Sequence, residues 1–231
     1  MAFKKMYTIA VFIFHCIHFC SGQETKTLWE DTPKPRIKLS MDVQVANMPM
    51  ISNNFHVFDY EVKFSKCSKF ETGYAACWSS KKIDNSFSYA IQQPKITYFQ
   101  IGWINQYNFL ITNRFRLSAN INNAFADAEL GDNSIIVKVA TPHGYANRAK
   151  EIAKNRFYLV EPGISFSVRL YTIQPNKKAH DQGCSIYLTT TAKYRFLFGS
   201  AQYGTHKQFS NYYLGAGLSF TPIYEVKAKN N

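Results

Sequence analysis

The sequence predicts an all-β fold, an antiparallel up-and-down transmembrane β-barrel of about eight strands, on three observations. Long stretches alternate apolar and polar residues with a period of two, the mark of a strand whose two faces meet different surroundings. These stretches exceed the roughly five or six residues usual in soluble domains and reach the about nine to eleven that a tilted strand needs to cross a bilayer. After an N-terminal export-type segment, no run is apolar enough for a membrane helix. Any crossing must then be made by strands, whose backbone groups pair in a closed ring.

The clearest alternation is 185–198. Ile186, Leu188, Thr190, Ala192, Tyr194, Phe196 and Phe198 share one face, and Ser185, Tyr187, Thr189, Thr191, Lys193 and Arg195 the other. At the N-terminus, Lys4 and Lys5 precede a mostly apolar run over 7–19, and the small Ser21 and Gly22 stand before Gln23. Residues 1–22 are therefore read as a secretory signal peptide, its apolar run too short to span. Ile17, His18 and Phe19 ahead of Cys20 do not form the small-residue box of a lipoprotein.

Residues 23–34 form a polar, Pro-punctuated tail, 35–224 the barrel, and 225–231 a C-terminal tail. The first strand is expected over 36–46, followed by a turn region rich in Pro and Asn over 48–54. In the second, Phe58, Tyr60, Val62 and Phe64 oppose Asp59, Glu61 and Lys63. A weaker strand over 74–79 leads through a loop at 80–95 to a fourth over 96–110. Thr112-Asn113 then turns the chain tightly into a fifth, where Phe115, Leu117, Ala119 and Ile121 alternate with Arg114, Arg116, Ser118 and Asn120.

The rhythm breaks over 122–155, which holds a short β-like run at 134–140 and a helix-like patch at 145–154. A segment this long is expected to be an external loop or lid. It carries an apolar run (Ile135, Ile136, Val137) and a basic patch (Arg148, Lys150, Lys154), so it is the expected seat of any binding. A sixth strand over 157–170 contains Pro162-Gly163, read as a bulge. After 185–198, the last strand places Tyr212, Leu214, Ala216, Leu218 and Phe220 outward and Gly215, Gly217 and Ser219 inward.

The formal net charge is +12, yet the lysines and arginines are scattered. With an export signal this argues against a nucleic-acid partner and leaves two readings, a surface near anionic lipid headgroups and a solubilising charge excess. The inward faces collect Asp42, Asp59, Glu61, Arg114, Arg116, Arg169, Lys193 and Arg195, with Lys38 and Lys63 beside them. An eight-stranded interior is just wide enough for side chains to fill. A lumenal salt-bridge network is expected, with an anion-preferring pore as the alternative. Tyr98, Trp103, Tyr107, Tyr194 and Tyr212 are read as an outward membrane-interface girdle.

Cys67 and Cys77 lie symmetrically about Thr72, and a hairpin there would set their sulfurs opposite each other. In an oxidising compartment they are expected to bond, against the alternative of two unpaired small residues. No Cys/His spacing suits a metal, so neither metal nor cofactor is expected. His56, His143, His180 and His206 have no neighbour at triad spacing, and no catalysis is expected.

The stretch Tyr212-Tyr213-Leu214-Gly215-Ala216-Gly217-Leu218-Ser219-Phe220 resembles the closing strand of small bacterial outer-membrane β-barrel proteins. The 107–119 stretch, with its Thr-Asn turn, resembles their inner-side hairpins. The resemblance covers about 36–220. It implies residence in the outer membrane of a Gram-negative bacterium, with outer-membrane lipid and the barrel-insertion machinery as partners. It also implies a structural or surface-binding role, with external loops meeting a host or cell-surface partner. Two alternatives stay open. A soluble secreted β-barrel or β-sandwich binding a small apolar ligand would show the same alternation with inside and outside exchanged. A barrel lipid-modifying hydrolase would need a His beside a Ser at the rim.

Overall fold

The computed structural model describes residues 38–65, 69–141, 144–173 and 183–223. Over these the alternating segments form β1 (Lys38–Met50), β2 (Asn53–Ser65), β3 (Phe70–Lys82), β4 (Pro94–Ile111), β5 (Phe115–Thr141), β6 (Gly144–Ile173), β7 (Gly183–Tyr194), β8 (Phe196–Ser200) and β9 (Tyr212–Ile223). One helical turn, α1 (His206–Phe209), precedes β9.

Each of β1 to β6 pairs antiparallel with its neighbour in sequence, and β6 pairs with both β7 and β8. β7 and β8 are one wall strand interrupted at Arg195. β9 pairs with β7 on one side and with β1 on the other, from Met41↔Phe220 to Asn47↔Leu214. The hydrogen bonds thus ring through eight wall strands, β1-β2-β3-β4-β5-β6-β7-β9, and leave no open edge in the ring. At the closing seam a side chain on Gly217 would lie 2.0 Å from the Val43 carbonyl oxygen, so only glycine fits there.

The faces divide as the period of two demands. On β1, Val43 and Val45 are exposed outward while Asp42 and Gln44 are buried inside. Along β7 and β8, Leu188, Tyr194, Phe196 and Phe198 point out and Thr189, Thr191, Lys193 and Arg195 point in. The outer surface is apolar and the middle of the interior polar, which is the arrangement of a barrel set in lipid and the reverse of a soluble carrier. Inside, the barrel has two zones. Toward the end where β1 starts and β9 finishes the lumen is polar. Toward the opposite, loop end it is an apolar core of Met48, Phe55, Ile96, Leu130, Phe157 and Leu159, capped by Tyr203 and Phe209 from the β8–β9 connection.

Several sequence expectations need correction. The described residues of 122–155 are strand rather than loop, lid or helix: β5 runs on to Thr141 and β6 begins at Gly144. The alternation fades because this part of β5 faces the apolar zone, with Ala124, Ala126, Ala128 and Leu130 inward. Neither face is then distinctly polar. β3 is thirteen residues long rather than a short weak strand. β2 and β3 do not turn at Thr72, since Phe64 pairs with Thr72 and both strands continue past it, to Ser65 and back to Phe70. No bulge marks Pro162-Gly163, where Ile121↔Pro162 and Asn120↔Gly163 pair in continuous register; the irregularities fall at Asn108/Leu110, Leu130/Gly131, Asp132/Ile136 and Arg169/Tyr171. The turn expected over 48–54 tightens to Ile51 and Ser52, both at positive φ (51° and 59°), as a two-residue type I′ hairpin requires.

Candidate functional site: a filled lumen and a projecting ribbon

Strand register brings the inward charges of β1, β2 and β7 together. Lys63 is held by Asp42, by Glu61 (3.0 Å) and by the Gln106 carboxamide oxygen (2.9 Å). Lys193 reaches Glu61 at 2.8 Å and Asp59 at 3.5 Å, and the Tyr213 hydroxyl donates to Asp59. Arg195, where the wall strand breaks, donates from Nε to Glu161 (2.9 Å) and from Nη2 to the Tyr98 hydroxyl. Tyr98 donates onward to Gln100 (2.6 Å), which with Asn122 returns hydrogen bonds to Glu161 (2.7 and 2.8 Å). Arg195 thus sits in a closed circuit of partners.

A third group lies toward the chain-end side. Glu71 accepts from Asn108 (3.1 Å), Ser40 (3.3 Å) and Arg116 (3.4 Å). Arg116 also lies over the Tyr187 ring at 4.9 Å, and Arg169 donates to the Tyr187 hydroxyl at 3.0 Å.

Asp42, Asp59, Glu61 and Lys193 thus share one network with Lys63, Arg195 sits in a separate circuit around Glu161, and Arg116 and Arg169 lie beside Tyr187. Arg114 joins none of them. It lies exposed in the Thr112–Phe115 turn, because β5 starts only at Phe115 and the alternation does not extend into the turn. The sequence reading passed over Glu161 and Glu71. Glu161 stands beside the Pro-Gly pair read as an interruption, and Glu71 in the segment read as a turn. Tyr98 belongs to the lumen rather than to the outward girdle, as its neighbour Phe99 on the outer face could have signalled. Trp103, Tyr107, Tyr194 and Tyr212 do lie on the outer face.

The side chains of Lys63, Lys193 and Arg195 are 4%, 2% and 0% exposed, so the charges meet one another rather than a water column. A buried charge without a partner would be expensive, and here each is paired and hydrogen-bonded.

Cys77 is a free, buried thiol opposite Asp59 in the β2–β3 register. The disulfide expectation rested on a turn at Thr72, which the register moves; Cys67 itself lies outside the described residues. So do Lys38's side chain, His143 and His180. His56 is exposed on the outer wall, and His206 meets the Phe157 ring edge-on at 5.8 Å.

At the loop end the outer face turns from apolar to charged. Lys154 bridges Asp127 (2.8 Å) and Glu129 (2.7 Å), just beyond the exposed Phe125 and Tyr158. Beyond this belt β4 ends, its Pro94 opposite Asp132. From Ile136↔Ala149 to Thr141↔Gly144, β5 and β6 pair only with each other and project as a two-stranded ribbon. Asp132 anchors its base: it accepts from the Ser134 hydroxyl (2.6 Å) and amide (2.9 Å) and from the Gln92 and Gln93 amides (both 3.2 Å). These bonds, the Ser134 hydroxyl foremost, hold its carboxyl at about 2, below the ordinary 3.8. The ribbon and the outer wall of β4 line a groove of about 730 Å³, with Lys95, Thr97 and Phe99 on the wall side and Val137, Val139 and Arg148 on the ribbon side. Ile136, Val139 and Tyr145 are exposed on the ribbon.

The sequence matches no protein-family model, and no curated protein matches it. Among solved structures it is similar to Ail, the attachment invasion locus protein of Yersinia pestis, in complex with the heparin analogue sucrose octasulfate: TM-score 0.40, 7% identity, 80% of this chain and 96% of that one. Ail alone gives a TM-score of 0.40 and 7% identity over 80% of this chain and 95% of that one. Neisserial surface protein A gives 0.41 and 11% identity over 81% and 96%. The closed eight-strand ring stands on this chain's own pairings.

Proposed function

We propose that this chain is an outer-membrane barrel of a Gram-negative bacterium that works by binding, with a closed barrel as anchor and the β5–β6 ribbon as its contact surface. Export would use residues 1–22, and assembly the barrel-insertion machinery. The observation that carries the reading is the ribbon itself. It continues past the last residues of β4 and β8, and it presents apolar side chains beside Arg148 and Lys150. A rigid barrel holding such an extension is the usual way a scaffold presents a binding element. The filled lumen speaks for an anchor rather than a channel.

The groove sets apolar Phe99, Val137 and Val139 among charges of both signs, Lys95 and Arg148 with Asp127, Glu129 and Glu151, so the partner that suits it combines apolar groups with both positive and negative charge, as a protein surface does. A host or cell-surface partner meets the ribbon from outside the membrane. The test is a variant with 135–148 replaced by a two-residue turn, displayed on cells alongside the unaltered protein. Binding to host cells should disappear while the barrel still shifts in gel mobility on boiling. Undiminished binding by the shortened protein would contradict the proposal.

A further inference from the structure

The cations inside the barrel are not paired alike. Lys63, Lys193 and Arg195 each have a carboxylate oxygen within 3.0 Å. Arg116 and Arg169, at the chain-end mouth, have one carboxylate between them. Glu71 stands 3.4 Å from Arg116, and no carboxylate among the described residues pairs with Arg169. The two arginines lie on adjacent strands. Arg116 pairs with Ser167 in the β5–β6 register, and Arg169 follows two residues later. Arg169 pairs in turn with Tyr187 on β7. The guanidinium carbons of Arg116 and Arg169 are 4.9 and 5.5 Å from the centre of the Tyr187 ring.

Donors outnumber acceptors there. Arg169 gives Nε (3.3 Å) and Nη2 (3.0 Å) to the Tyr187 hydroxyl oxygen. Its Nη1 and the Tyr187 proton then have no acceptor among the described residues. The buried Arg116 Nε has no hydrogen-bond partner, and neither has the buried Thr221 Oγ1, which lies opposite Ser185, two residues from Tyr187 on β7. Two guanidiniums against Glu71 leave one net positive charge, and like charges this close are unfavourable unless an anion lies beside both. We infer that the chain-end mouth of the lumen is an oxyanion site, in which Arg116, Arg169 and Tyr187 hold a singly charged carboxylate or phosphodiester. The inference makes no use of the ribbon. It takes from the outer-membrane reading only that this mouth faces the periplasm.

The donor set selects the ligand. A guanidinium is a planar fork that matches two oxygens of one carboxylate or phosphate, and Tyr187 adds an O–H beside it. The Tyr187 ring against Arg116 holds that guanidinium in place. Glu71 limits the charge: it repels a second negative charge, so a monoanion fits better than a dianion. Access is from the mouth. Arg169 is half-buried, whereas Lys193 and Arg195, deeper in the lumen, are sealed.

The test uses the full chain folded in micelles of an uncharged maltoside detergent, titrated calorimetrically with acetate and, separately, with dimethyl phosphate. Sodium chloride at the same ionic strength is the reference, since a diffuse charge effect appears there too. Saturable binding is expected for at least one of the two oxyanions, and the tighter one names the group. Arg169→Gln leaves no carboxylate unpaired, so its fold should survive, and the mobility shift on boiling checks this. It should weaken binding by about tenfold or more, as the loss of a hydrogen bond to a charged group does. Arg169→Lys, which keeps the charge but not the fork, should fall between. Arg114→Gln, in the exposed turn on the same side, should bind as the unaltered protein does. Heat no different from that of chloride, or equal binding by Arg169→Gln and the unaltered protein, would overturn the site and leave the ribbon reading untouched. Binding lost equally in Arg114→Gln would overturn it as well, because the charge would then act as a diffuse rim.

Discussion

Arg195 shows how much of this molecule depends on single inward positions. It interrupts the wall strand between β7 and β8, is fully buried, and satisfies Glu161 and Tyr98 at once. Arg195→Met should destabilise the barrel by about 3–5 kcal/mol in urea unfolding from lipid, because it strands the Glu161 charge. Adding Glu161→Gln should recover part of that loss. Equal stability of the single variant and the parent would mean that the pair is not held as described. Asp132 gives a pH-dependent counterpart. Its folded value is depressed, so its contribution is complete above about 4 and is lost as pH falls toward about 2. Protease cleavage near the ribbon base should rise over that interval, and Asp132→Asn should show the raised cleavage already at neutral pH. At this scale the sequence was legible wherever parity was followed. Asp42, Asp59, Glu61, Lys193 and Arg195 all lie where a period of two puts them. Arg114 was misplaced because a turn ends the period, and Tyr98 because its aromatic character was weighed above its parity.

Among the elements, β5 and β6 were the hardest to read and matter most. Their middle faces an apolar zone, so the contrast between faces vanishes, and beyond Asp132 no lumen remains to impose one. The hairpin is recorded in the register of two long strands, a non-local property that composition does not display. This sets where the ribbon can be cut. Removing 135–148 takes only residues beyond the last pairing with β4, and the barrel should fold with little change in its urea midpoint. Removing 130–153 also takes Leu130 and Ala153 from the core and breaks the Ile96↔Leu130 pairing. The longer deletion should lower the midpoint clearly or prevent insertion. Equal behaviour of the two would contradict the boundary at Asp132. β7, by contrast, was read correctly over its length, since both of its faces keep their character from Ser185 to Tyr194.

For the whole molecule, strand number, closure and the direction of the faces followed from alternation, segment length and the want of an apolar helix. The division of the lumen into a charged and an apolar zone did not, because it depends on which strands face one another across the barrel. The central claim is that the aromatic outer face meets hydrocarbon while the charges inside seal one another off. Trp78 and Trp103 are built-in reporters, both on the outer wall and paired with lipid-facing neighbours Phe58 and Tyr74. The most direct measurement is the fluorescence of a Trp29→Phe variant refolded into vesicles of lipids brominated at mid-chain. Strong quenching relative to unbrominated lipid is the predicted result. Fluorescence unchanged by the brominated chains would contradict it.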